Sequence, residues 1–220
     1  MLSLIPLIPL IPSIMAAITK VAAVIGPMLS KAAPIVVDLA GKYLPKIIET
    51  VEKISTVLNI IKPSDNAEVL GAKVINSDKN PEDFDTINSY VDYLHKEITV
   101  DKTTLSTEPV DVLARQAIGV SILMKGASEA LGTELTIPFI KAVSRLDLDA
   151  NLIVEVAKAY ASNDLKLDDY EKYISKELPT NQLDTHSDVI VIAYQKSDST
   201  MSLEQAEDKV MALELSKNDI

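Results

Sequence analysis

The two histidines, His95 and His186, are the side chains of this sequence best suited to moving protons near neutral pH. Neither has a second His at the spacing that metal ligation or a catalytic pair requires, and His95, following Tyr93 and Leu94, reads as a residue at the edge of a helix's core face. The chain has no cysteine, which removes thiolate nucleophiles, thiolate metal sites and disulfides and leaves the redox compartment open. Carboxylates are plentiful, and Asp147, Asp149 and Asn151 copy the opening spacing of a calcium loop. That match fails, because Leu152 stands where the loop needs a sharply turning glycine and Lys158 where it needs a bidentate glutamate. Asp164, Asp168 and Asp169 crowd the next turn without the pattern, and a helix cap at Asp168 accounts for them. No glycine-rich phosphate loop, G-x-S-x-G elbow or H-E-x-x-H helix occurs. The expectation is a protein that is not an enzyme, with no cofactor and no metal.

Charge divides the chain. The formal net charge is −11, yet residues 1–62 hold six Lys against Asp38, Glu49 and Glu52, which is +3 and leaves −14 for residues 63–220. Nucleic-acid affinity comes mainly from cations that neutralise phosphates. A body this acidic, with only Arg115 and Arg145 as arginines, is not expected to bind nucleic acid.

The N-terminal third carries a period. Rows of eleven from Ile18 read ITKVAAVIGPM, LSKAAPIVVDL, AGKYLPKIIET and VEKISTVLNII, with Lys20, Lys31, Lys42 and Lys53 all at the third place. Eleven residues make three helical turns, so equivalent places keep one direction around a helix. The second, third, sixth and tenth places lie side by side and hold two apolar residues in sixteen, whereas the other seven places hold twenty-three in twenty-eight. The expected apolar face, for membrane or assembly, is Val21, Val24, Ile25, Leu29, Ile35, Val36, Leu39, Leu44, Ile47, Ile48, Val51, Ile54 and Leu58. In period and face geometry the segment resembles apolipoprotein-type eleven-residue repeats, but its prolines and sparse Glu–Lys pairs depart from them, so no lipid-transport function follows.

Pro27, Pro34 and Pro45 fall on the polar stripe, where each would bend a continuous rod away from its own side. Gly26 and Gly41 make a chain of short helices the alternative. Ahead of the rows, LIPLIPLIP places proline at every third residue, which suits either a polyproline II turn or the frayed start of the repeat. The uncharged opening lacks the basic start of a signal peptide, and its prolines interrupt the stretch that would have to span a bilayer.

After Lys62-Pro63-Ser64-Asp65 the chain becomes acidic and aromatic. Periodicity and cap signals predict helices near 66–76, 81–98, 108–130, 136–147, 150–162, 168–177, 186–196 and 203–217. Asp65 with Glu68 forms a candidate capping box, and Asn80-Pro81, Thr107, Asp149 and Ser202 mark other starts. The run Val189-Ile190-Val191-Ile192 has strand character, but with no second strand to pair it reads as a buried helix.

The sequence therefore predicts an all-α fold in three parts: an apolar Pro-rich arm over 1–17, an amphipathic repeat segment over 18–62 and an acidic helical domain over 63–220. So wide an apolar face needs covering. The leading expectation is a structural or membrane-active protein whose residues 1–62 meet membrane lipid or other copies of the chain. On that reading it is a homo-oligomer or part of a larger assembly, such as a viral or secretion particle, and its 63–220 domain folds alone. The alternative is a self-contained helical adaptor whose repeat packs on its own body and whose acidic surface binds a basic protein partner.

Overall fold

The computed structural model describes residues 7–213, so residues 1–6 of the predicted arm and the end of the predicted 203–217 helix lie outside the described part. The fold is all-helical, with no strand among the described residues. It divides into two compact units, Met1–Glu129 and Ala130–Ile220.

Unit one begins with a 3-10 turn, Ile8–Leu10, leading into α1 (Ile11–Lys20). Leu7 and Leu10 both have right-handed helical dihedrals, so from Leu7 on the opening prolines belong to the frayed start of a helix and not to polyproline II. Then come α2 (Ala22–Ala40), a 3-10 turn at Gly41–Tyr43, α3 (Leu44–Val57), α4 (Ala67–Ile75), α5 (Ile87–Glu97) and α6 (Pro109–Leu131), whose end crosses into unit two.

The chain of short helices prevails over the bent rod. Gly26 takes φ 80° and ψ 165°, breaking α2, and Pro27 restarts it. There its missing N–H costs nothing, because the first turn of a helix has no internal acceptor to meet. Pro45 likewise opens α3, and of the three stripe prolines only Pro34 lies within a helical run on both sides.

Two carboxylates join the N-terminal helices to the later ones. The Met28 N–H in the restarted turn of α2 donates to Glu82 Oε1 at 2.6 Å, and the Ala67 N–H at the start of α4 donates to Glu52 Oε1 of α3 at 2.6 Å. Each satisfies an orphan donor at a helix start with a negative charge, the sign that end of the helix dipole favours. Residues 63–65 are accordingly a loop inside unit one, where the Lys62 N–H donates to Asp65 Oδ2. The division of the chain falls at 129/130, well beyond the change of composition at 62/63.

Backbone contact fixes α4 against α6. A Cβ on Gly71 would lie 1.9 Å from the Arg115 carbonyl oxygen, and one on Gly119 would lie 1.9 Å from that of Ala67. Only two glycines facing opposite backbones permit this approach.

Unit two holds α7 (Ile137–Arg145), α8 (Ala150–Ser162), α9 (Asp168–Ile174), α10 (Thr180–Ser197) and α11 (Leu203–Met211). Helix α10 packs on α8 and also on α11. Val189, Ile190 and Ala193 are buried, as is Val191 on the side toward α11. The strand-like run is a helix that is apolar on two sides because it has neighbours on both.

Several caps fall where the sequence indicates and others shift. Asp149 caps α8, Ser202 and Gln205 form a capping box on α11, and Asp83 accepts the Asn80 N–H. Asn66, not Asp65, caps α4 by accepting from the Val69 N–H, because Asp65 is engaged by Lys62. Glu68 is drawn away to Arg115 at 2.6 Å. Asp168 lies in the first turn of α9 and makes no cap. Helix α6 starts at Pro109, one residue later than a Thr107 cap implies. The predicted 81–98 helix is split, with Pro81–Asp83 a 3-10 turn and Thr86 capping α5 through the Ser89 N–H.

Candidate contact surfaces

Burial follows the faces of the eleven-residue rows. Of the sixteen residues on the polar stripe only Ile60 is buried, and Lys20, Lys31, Lys42 and Lys53 are all exposed. On the apolar face Ile25, Leu29, Val36, Leu44, Ile47, Ile48, Val51 and Ile54 are buried, while Val21 and Leu58 are half-buried. Most of this face is therefore the core of unit one. Val24, Ile35 and Leu39 differ, remaining 43%, 54% and 51% exposed. The seventh place of the row, occupied by Val24, Ile35, Lys46 and Val57, points largely outward and widens the outer stripe.

Within α2 beyond Gly26, Lys31, Ile35 and Leu39 recur at four-residue intervals and so form one line along the helix. Asp38 is exposed on the same side, and Lys42 follows in the 3-10 turn. By length and composition the helical run Ala22–Val57 is apolar enough to cross a membrane.

A second surface lies in unit two, where sequence reasoning named no site. Ser187, Asp188, Val191, Ile192, Gln195, Leu203, Glu207 and Met211 line a groove of about 520 Å³ between α10 and α11. Ser187 and Met211 also line its continuation toward Leu183, Asp184 and Val210, with Lys176 at that end. Ile192, Leu203 and Met211 are exposed. The signal available in sequence was Ile192, which stands one residue past the core-facing side of a run otherwise buried.

The polar clusters have structural explanations. His186 is buried, its Nδ1 2.9 Å from the Tyr160 hydroxyl and its ring stacked on Tyr173. Burial lowers its pKa, with the Asp169 carboxylate opposing. Tyr160 and Phe139 both meet the ring of Tyr170 edge-on, so His186 closes an aromatic core. The phenols of Tyr160 and Tyr170 are pushed up by burial and remain protonated. His95 lies 3.7 Å from Asp65, and its pKa is also lowered, mainly by burial and further by Lys73. A small cavity of about 220 Å³ in unit one is lined by Ala17, Val21, Ile75, Arg115 and Asp111, among others. Arg115 is a poor anion receptor, because Glu68 and the Ser106 carbonyl already engage its guanidinium at 2.6 Å. Asp149, the central residue of the calcium-like spacing, is used as a helix cap.

No known protein family, curated protein or solved structure matches this chain.

Proposed function

We propose that this is a structural protein that works by surface contact rather than catalysis, and that it docks to further copies of itself through the outward line of α2. The observation that carries this reading is the exposure of Val24, Ile35 and Leu39 on a face whose other apolar members are buried or half-buried. Burying such a side chain from full exposure is worth roughly 1.5–3 kcal/mol; each of these three is still about half exposed, so covering them together gains part of that sum and favours a covered state. The buried remainder argues against deep insertion, because withdrawing Ile25, Leu29, Ile47 and Ile54 into lipid would empty the core of unit one.

A second reading is a peripheral seat on an anionic membrane surface. It is favoured by the apolar Ala22–Val57 run and by exposed Lys31 and Lys42. One experiment separates the two. The mass of the full chain is measured against concentration, beside flotation with phosphatidylserine-containing and neutral vesicles, for the native sequence and for Ile35→Glu/Leu39→Glu. Self-association lost in the variant supports the first reading, and flotation without self-association supports the second. A chain that stays monomeric and does not float defeats both.

A further inference from the structure

The large apolar side chains left exposed among the described residues fall into two sets. Ile8, Val24, Ile35 and Leu39 belong to the N-terminal helices, and Ile192, Leu203 and Met211 all line the α10–α11 groove. Their edges have opposite charge. Lys20, Lys31 and Lys42 are exposed among the first set, with Asp38 the one acid beside them on α2. Asp188 and Glu207 line the groove and Asp184 its continuation, with Lys176 at the far end.

We propose that the chain associates head to tail, the α2 line of one copy (Lys31, Ile35, Leu39) seating in the α10–α11 groove of a second (Asp188, Ile192, Glu207, Met211). This rests on the self-docking reading above and names the surface that receives the α2 line. Three arguments favour a second copy. An acid-edged apolar groove selects a helix with apolar residues and a cationic flank, and α2 has both. Lengths agree: α2 from Pro27 to Ala40 is about 21 Å, and α10 borders the groove from Leu183 to Gln195 over about 20 Å. Finally, one contact covers Ile35 and Leu39 of the first set together with all three members of the second. An anionic membrane could take only the basic line and would leave the groove open.

Because the two surfaces differ, the contact is heterologous and either closes into a ring or extends as a filament. Its exposed charges are screened by salt.

The test uses two blocked forms of the full chain: Ile35→Glu/Leu39→Glu on the line and Ile192→Lys/Leu203→Lys in the groove. All four positions are exposed, and an unchanged thermal melt confirms folding. Should either double variant misfold, the single reversals Lys31→Glu and Glu207→Lys at exposed positions replace it. Sedimentation is followed from about 1 to 300 µM, the range of weak specific complexes.

The native chain is expected to form species that grow with concentration and weaken at high salt. Each blocked form should lose association at least tenfold. Mixed together, the two forms should give a 1:1 dimer that stops there, since each retains one working surface. A native chain that stays monomeric overturns the proposal, as does a mixture that stays monomeric. Association lost in the line variant but untouched in the groove variant also overturns it, while leaving the self-docking reading standing. Equal loss in both with no dimer on mixing overturns it as well, because the two surfaces then do not dock on each other.

Discussion

At Gly26 the backbone lies in a region that L-residues with side chains scarcely enter, and a Cβ there would also come within 2.8 Å of Glu82 Oε2. Gly26→Ala combines backbone strain with displacement of the carboxylate that caps the restarted helix. It is expected to lower stability by about 1–3 kcal/mol, read by urea unfolding. His186 gives a pH signature. Its folded pKa is below its ordinary value, so the unfolded chain takes up the proton first as pH falls. The associated stability is complete above about pH 6.5, the unfolded value, and is lost as pH falls toward the folded value. His186→Gln should flatten the fall in urea midpoint between neutral pH and about pH 5, whereas a slope identical to the native protein's would show that other groups carry it. Sequence alone assigned neither role. A glycine followed by proline announces a break, but Glu82, fifty-four residues beyond the Met28 it caps, leaves no periodic trace.

Helices were more legible than the bonds between them. The rows of eleven assigned an apolar face and a polar stripe to α2 and α3 because one rotation per residue converts spacing into direction. The outward turn of Val24, Ile35 and Leu39 was not readable, since it depends on which neighbours arrive. The Thr86 cap was likewise hidden inside one long predicted helix. The α4–α6 crossing supplies the prediction at this scale. In an open helix, Gly119→Ala would gain about 1 kcal/mol from propensity alone. Here the new methyl would meet the Ala67 carbonyl, which belongs to a helix and cannot swing aside. Gly119→Ala and Gly71→Ala should each cost about 3 kcal/mol, near the top of the range for overpacking. A neutral or stabilising result by calorimetry would mean the two helices separate easily.

Over the whole molecule, the change in composition at residue 63 suggested a boundary that the packing does not follow. Charge and aromatic content describe a surface and a style of core, whereas a unit is defined by which buried faces meet. Those of α2 meet α4 and the Pro81–Asp83 turn from the acidic part of the chain, with Glu52 of α3 and Glu82 bridging in opposite directions. A fragment starting at residue 130 should therefore melt cooperatively by circular dichroism, since its buried residues include Phe139, Tyr160, Tyr170 and Ile190. Residues 63–129 alone should not. A cooperative melt from 63–129 would return the N-terminal segment to the status of an appendage.

The bridge from Glu82 back to Met28 also bears on biosynthesis. Translation delivers the oily N-terminal helices before the residues that cover them, and at about 5–20 residues per second the ribosome needs roughly 3–13 seconds to pass from residue 62 to residue 129. Until α4 to α6 are complete, part of the surface around Ile25, Leu29 and Ile47 that the finished unit buries stays uncovered. A chaperone stationed at the exit tunnel is the natural guardian of such a chain, and depleting it should send newly made protein into inclusion bodies while protein already folded stays in solution.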